Sequence, residues 1–142
     1  MNHSTLIDEC RDHRSIQAKT IRRLQQLSQL YMNAAIRYNH PSTTHMCIVS
    51  SDRAIEHLLK ALYMKQNGCT VPPAFFSLHD IIRQPAQEPV LDLNMVTLVY
   101  NIHFLAGCND LTLLEPIHPS YLARLLTGVD AILLSLSARI SS

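Results

Sequence analysis

The sequence predicts an all-α protein, built as an up-and-down bundle of four long helices with one short helix. Four long segments carry apolar residues every three or four positions, which is the spacing that places them on one face of a helix. Most of the three Gly and seven Pro lie between these segments, where they begin or end helices. Runs that favour strands are short and lie inside longer helical patterns, so no sheet is expected.

The first long helix is predicted from Ser15 to Tyr38. It ends before Pro41, because proline disfavours helical backbone in the residue that precedes it. Residues 1–13 are polar and mixed, so we expect them to fray or to lie at the periphery. The predicted buried face consists of Ile21, Leu24, Leu27, Tyr31, Ala34 and Tyr38.

The second long helix is predicted from Thr44 to Asn67, and Gly68 is well placed to cap its C-terminus. Two prolines, at positions 72 and 73, then form a stiff connector. The predicted buried stripe of this helix consists of Ile48, Ile55, Leu58, Leu59 and Leu62.

A short helix is predicted after Ser77, which resembles an N-cap followed by an acidic residue three positions on. The third long helix begins after Asp92, a second N-cap candidate, and runs to about Ala106. Apolar positions in it are Leu93, Val96, Leu98, Val99, Ile102 and Leu105.

The last helix has the strongest helical periodicity in the chain, and Pro119 is expected in its first turn. Its apolar residues cover a broad arc, which needs cover on more than one side. We therefore predict a homodimer that buries part of the last two helices. The apolar residues of the last helix are Leu122, Leu125, Leu126, Val129, Ile132, Leu133, Leu136 and Ile140.

Composition bounds the class of protein. The 142 residues suit one domain, and the 47% hydrophobic content is enough for a sizeable core. The net charge of +1 creates no global field toward nucleic acid or an acidic membrane, so RNA is only weakly supported as a partner. No uncharged apolar run is long enough to span a bilayer.

The four cysteines lack the spacing of a zinc site. No charged segment followed by an apolar stretch marks the start of the chain, so we expect a cytoplasmic protein with reduced thiols. Gly-rich phosphate loops and metalloprotease motifs are also missing from the sequence. Neither a metal nor a cofactor is predicted.

Polar residues on the second helix form the first candidate site. Arg53, Glu56, His57 and Lys60 occupy relative positions zero, three, four and seven, and so share one side. One interpretation is a solvated surface with a Glu56–Lys60 ion pair. The other is a ligand site in which Arg53 holds a phosphate and His57 exchanges a proton.

Two further histidines are candidates. His79 lies just after the predicted start of the short helix, where it either caps and packs locally or binds a ligand. His103 lies in the apolar third helix, two residues after Asn101. One interpretation is that His103 is a hydrogen-bonded residue of the core or of an interface, and the other is that it is a catalyst. His103 is the weak catalytic candidate, and the catalytic residues are otherwise unknown.

The segment from Ser51 to Ile82 resembles the core of HEPN-domain proteins, the higher eukaryotes and prokaryotes nucleotide-binding family. In that family a helix of the form A-x-E-x-x-L-K-A-L ends near a Gly, and a Pro-containing turn and a His beside a short helix follow. The matching residues here are Ala54, Glu56, Leu59, Lys60, Ala61, Leu62, Gly68, Pro72, Pro73, His79, Asp80 and Ile81.

The resemblance implies a helical bundle that commonly forms homodimers. Many members are metal-independent ribonucleases, marked by an Arg followed about four to six residues later by a His. No Arg precedes His103 at that spacing, so the expected function is a non-enzymatic binding or regulatory module. It would bind a nucleotide or a small nucleotidyltransferase, as in toxin–antitoxin-like pairs. The alternatives are an atypical ribonuclease or toxin that uses His103, and a structural interaction bundle without a nucleotide ligand.

Overall fold

A computed structural model describes residues 3–73, 91–108 and 117–142, with side chains described from Glu9 onward. These residues form four α-helices, which confirms the all-α class, and contain no strand within those three ranges. The short helix predicted after Ser77 lies outside the described residues. The helices are α1 (His3–Arg37), α2 (Thr44–Asn67), α3 (Leu93–Ala106) and α4 (Pro119–Ser141), and a single 3-10 turn (Pro41–Thr43) precedes α2.

Helix α2 is the centre of the fold, because it contacts each of the other three helices. All five residues of its predicted stripe are buried, from Ile48, which has no exposed surface, to Leu62 at 4%. Small residues of α2 allow close approach at several points, and Ala54 and Ala61 are fully buried. The buried apolar surface of α2 therefore holds the other helices in place.

Helices α1 and α2 form an antiparallel hairpin. Near one end, the side-chain amide of Gln17 donates a hydrogen bond to the carbonyl of Met64 at 2.9 Å. Near the middle, the buried hydroxyl of Ser28 donates to the carbonyl of Ala54 at 2.7 Å. From the first contact to the second, the residue number rises along α1, from 17 to 28, and falls along α2, from 64 to 54. The two helices therefore run antiparallel.

The start of α1 corrects a prediction. The helix begins at His3, twelve residues before Ser15, so residues 3–13 are helical rather than frayed. The side chains from Glu9 to Ile16 are exposed, as expected for a peripheral segment. His13 nevertheless contacts the bundle, because its Nε2 donates to the carbonyl of Gly68 at 3.0 Å.

The predicted caps of the other helices are confirmed. Gly68 has a left-handed backbone with φ of 65°, and its N–H bonds the carbonyl of Met64. The carboxylate of Asp92 accepts a hydrogen bond from the N–H of Met95 at 2.8 Å. Pro119 occupies the first turn of α4, and the imidazole of the preceding residue, His118, is the N-cap.

Helix α4 is long and apolar enough, by length and composition alone, to cross a membrane. In this fold its apolar side faces the core, since all eight residues of its predicted stripe are buried, including Val129 and Ile132 with no exposed surface. That arc is therefore already covered within one chain, and it does not by itself require a partner. Among the apolar residues of α4 that remain exposed are Tyr121 and Leu134.

The ends of α2 and α4 are joined by one lysine. The ammonium group of Lys65 donates to the carbonyl of Ile140 at 2.5 Å, and also to the carbonyl of Ser142. The carbonyls in the last turn of a helix have no partner within the helix and carry partial negative charge. Lys65 therefore satisfies the C-terminal end of α4 from a neighbouring helix.

Candidate functional site

A cleft between α2 and α3 brings together three of the sequence candidates, Arg53, Glu56 and His103. Its volume is about 400 Å³, within the range of small-molecule sites. One wall comes from the N-terminal half of α2, and the other comes from the last two turns of α3. The lining residues are Val49, Asp52, Arg53, Glu56, His103, Ala106 and Gly107.

The two walls are joined by a hydrogen bond between Asp52 and His103. Nδ1 of the imidazole lies 3.0 Å from Oδ1 of the carboxylate. Asp52 is largely covered, at 15% side-chain exposure, whereas His103 is 59% exposed. A carboxylate only accepts hydrogen bonds, so Nδ1 carries the proton and donates it. The second ring nitrogen, Nε2, then stays available to a ligand on the exposed side.

Burial dominates the electrostatics of Asp52. It raises the pKa of this carboxyl above its ordinary value, because the charged form loses hydration. The hydrogen bond from His103 and its charge act in the opposite direction, and Glu56 adds a smaller repulsion that also raises the pKa. The carboxylate therefore favours a proton donor or a cation beside it, and the exposed imidazole of His103 is that partner.

Arg53 is the exposed cation of the cleft. Glu56, three residues later, is engaged by Lys60, with 3.2 Å between Nζ and Oε1. This ion pair confirms the predicted Glu56–Lys60 contact, and it offsets part of the negative charge that would oppose an anion. A guanidinium group on the rim, with its planar set of donors, suits a phosphate or carboxylate.

The structure separates His57 from Arg53 and Glu56, although all three were predicted on one side of α2. The imidazole of His57 is half-buried against the ring of Tyr31 on α1, with 5.2 Å between ring centroids. Its Nδ1 donates to the backbone carbonyl of Arg53 at 2.6 Å. His57 is not among the residues that line the cleft, so its sharing a ligand site with Arg53 stays a prediction. The two residues are four apart and share one side of α2, and His57 lies where α1 packs against that side.

The remaining candidates fall in different places. His79 lies outside the described residues. Asn101 is exposed on α3 and does not line the cleft. Lys60 contacts the site through its ion pair with Glu56. Within the described ranges, no group of three or more His, Cys, Asp or Glu side chains could hold a metal ion.

Asp52 is the functional candidate that sequence reasoning did not find. It lies 51 positions before His103, and neither helical periodicity nor any local motif connects the two. A usable signal was its position on α2, because it immediately precedes Arg53 and interrupts an otherwise small and apolar run.

The arrangement can bind an anion and move a proton. Arg53 supplies positive charge, and His103 supplies an oriented ring nitrogen, since the bond from Nδ1 to Asp52 fixes the orientation of the ring. No family model, no curated protein and no solved structure matches this chain.

Proposed function

We propose that this protein is a HEPN-like helical binding module, and that the cleft between α2 and α3 binds a nucleotide or another small phosphate-bearing ligand. The observation that carries the proposal is the convergence of Arg53 and His103 on one cleft from two different helices. Two groups that can carry positive charge, one of them held by a buried carboxylate, are a common arrangement for recognising a phosphate. The resemblance of residues 51–82 to the HEPN core supports the same ligand class.

The charges of the cleft limit the affinity. Asp52 and Glu56 both lie beside the proposed phosphate position and repel it unless their own partners neutralise them. Glu56 has Lys60, and Asp52 has His103. We therefore expect modest, salt-sensitive binding.

Calorimetric titration tests this site, with inorganic phosphate, AMP, ADP and ATP as probes. Arg53→Ala should weaken nucleotide binding by about tenfold to a hundredfold, which corresponds to the loss of one charge-assisted hydrogen bond. Arg124→Ala removes an equal charge from an exposed position on α4 and should leave the affinity unchanged. Equal affinities for Arg53→Ala and the wild type, or no binding by any of the four probes, would overturn the proposal.

The finer architecture and the assembly belong to the same proposal. We propose that the four long helices, with one short helix between α2 and α3, complete an up-and-down bundle that pairs into a homodimer. The exposed apolar residues Leu93, Tyr100 and Phe104 support the pairing, because their spacing of seven and four puts them on one face of α3. Light scattering should give about twice the 16.1 kDa chain mass, and a monomer at high micromolar concentration would refute the dimer.

The other proposed partner is a small nucleotidyltransferase in the cytoplasm, which co-purification from the native host would test.

A second candidate function is metal-independent cleavage of RNA, and the Asp52–His103 hydrogen bond favours it. A buried carboxylate that orients an imidazole is a common way to prepare a general base. Here Nε2 of His103 would take the proton of a ribose 2′-hydroxyl. The 2′-oxygen would then form a bond to phosphorus as the bond to the 5′-oxygen breaks, and the departing 5′-oxygen would take a proton from water. Arg53 would stabilise the charge on the phosphate.

An RNA cleavage assay in the presence of EDTA separates the two candidates. A binding module leaves single-stranded and structured RNA intact. Cleavage that is lost in His103→Ala and reduced in Asp52→Asn would support the ribonuclease instead. Cleavage that survives in His103→Ala would point to a contaminating nuclease and would count against this candidate.

A further inference from the structure

Helix α1 carries a row of exposed cations on the side opposite its buried face. Lys19, Arg22, Arg23 and Arg37 are exposed, and we call these four residues the basic stripe. With 3.6 residues per turn they fall within an arc of about 100°, and the row is about 27 Å long. The buried residues of α1 lie on the other side of the helix, and they include Leu24, Ser28, Met32 and Ala35.

The positive and negative residues are distributed unevenly along the chain, which the small net charge does not show. Residues 13–51 contain five Lys and Arg and no Asp or Glu, a net of +5. The rest of the chain contains the other seven Lys and Arg with all eleven Asp and Glu, a net of −4. The total of +1 therefore combines a basic helical segment with an acidic remainder, and the outer face of α1 has a positive field of its own.

The cations of the basic stripe have no partner among the residues that the structure describes. In the part of the chain that the structure describes, none of the four takes part in an ion pair or a side-chain hydrogen bond. Gln26 and Asn33 lie on the same arc and are exposed. Neutral amides of this kind commonly accompany Lys and Arg at nucleic-acid backbones.

We propose that the basic stripe of α1 binds the sugar–phosphate backbone of nucleic acid without reading its sequence. A continuous polyanion suits four cations spaced over about 27 Å, because each can meet a separate phosphate. A membrane surface fits less well. Amphipathic helices that bind membranes insert one continuous apolar face, and that face of α1 is buried, with Leu24 and Met32 at 7% and 5% exposure. The large apolar residues of α1 that are exposed, Ile16, Leu30 and Ile36, are spread over an arc of about 160°, with Leu30 inside the basic stripe, so they form no such face. This surface is separate from the cleft and does not depend on the function proposed for it.

Fluorescence anisotropy with a labelled single-stranded RNA of about 20 nucleotides tests the proposal, because four contacted phosphates predict a slope near −3 for log affinity against log salt concentration. Arg22→Glu should weaken binding about tenfold at low salt. Arg124→Glu makes the same change of charge at another exposed helical arginine, on α4, and should weaken binding less than about twofold. Melting curves for both variants establish that each is folded.

Three results would overturn the proposal. One is no RNA binding by the wild type at low salt. Another is an equal loss in Arg22→Glu and Arg124→Glu, which would reduce the effect to net charge. The third is tight binding to phosphatidylserine-containing vesicles without binding to RNA, which would assign the stripe to a membrane. Arg22→Glu should bind the nucleotide probes of the cleft as tightly as wild type, because Arg22 does not line the cleft, so failure of the cleft proposal and failure of this one are distinguishable.

Discussion

Oδ1 of Asp52 lies 3.0 Å from Nδ1 of His103, and this hydrogen bond joins α2 to α3 across the cleft. Burial raises the pKa of Asp52 in the folded protein. The folded state therefore binds the carboxyl proton of Asp52 more strongly than the unfolded chain does. The contribution of Asp52 to stability is then greatest below its unfolded pKa and declines as pH rises through its folded pKa. Asp52→Asn should therefore gain stability relative to wild type as the pH rises from acid toward neutral.

Urea denaturation of both proteins across this range measures the effect. Asp130→Asn removes an exposed carboxylate from α4 and serves as the control for net charge. A stability difference between Asp52→Asn and wild type that stays constant from acid to neutral pH would contradict the assigned direction of the pKa shift.

His57 should prove structural. Its ring packs on Tyr31, and its Nδ1 donates to a backbone carbonyl of its own helix. His57→Ala is expected to lower the free energy of unfolding by about 1 kcal/mol. A double-mutant cycle with Tyr31→Ala should give a coupling of about 0.5–1 kcal/mol.

The same His57→Ala protein should bind phosphate-bearing probes as tightly as wild type, because the residue does not line the cleft. A large loss of ligand affinity without a loss of stability would restore His57 to the site and require a different orientation of its ring.

Lys65 should stabilise the fold through the end of α4. Lys65→Met keeps most of the aliphatic stem but removes the ammonium group that bonds the carbonyl of Ile140. The expected loss is about 1–2 kcal/mol, from a charge at a helix C-terminus and its hydrogen bonds. Lys19→Met, at an exposed position on α1, should change stability by less than about 0.5 kcal/mol. Equal effects of the two substitutions in urea denaturation would argue against the contact.

The cysteines should differ in reactivity. Cys47 is fully buried, and burial raises the pKa of its thiol to about 11, so little reactive thiolate forms at neutral pH. Cys10 is exposed. In the native protein Cys10 should react promptly with a thiol reagent, and Cys47 should react only after unfolding. Mass spectrometry after timed alkylation identifies the modified residue, and early labelling of Cys47 would contradict this burial.

Most helix boundaries could be predicted because they depend on local chemistry. Gly68, Asp92 and Pro119 each end or begin a helix through their own backbone or side chain. The start of α1 could not be predicted in this way, because residues 3–13 lack an apolar stripe. Part of that segment is held by a tertiary contact instead, in which His13 reaches the carbonyl of Gly68 at the end of α2.

The site could be predicted only in part, for a related reason. Arg53 and His103 were identified as chemically suited residues, and the cleft contains both. The partner of His103 was missed because a contact between two helices leaves no mark in the spacing within either one. The contact of His57 with Tyr31 could not be predicted, because the polar pattern of α2 alone does not show where a neighbouring helix will lie.

The antiparallel hairpin of α1 and α2 also has a kinetic consequence. The two helices follow each other with one short turn between them, so closing the hairpin costs little loop entropy, and contacts between neighbours in sequence form early. Helices α3 and α4 would then dock onto a surface that already exists. In stopped-flow experiments Ala54→Gly at the hairpin contact should mainly slow refolding, whereas Ile132→Val on α4 should mainly accelerate unfolding. The cleft closes only when α3 docks, so ligand binding would stabilise the last step of folding rather than the first.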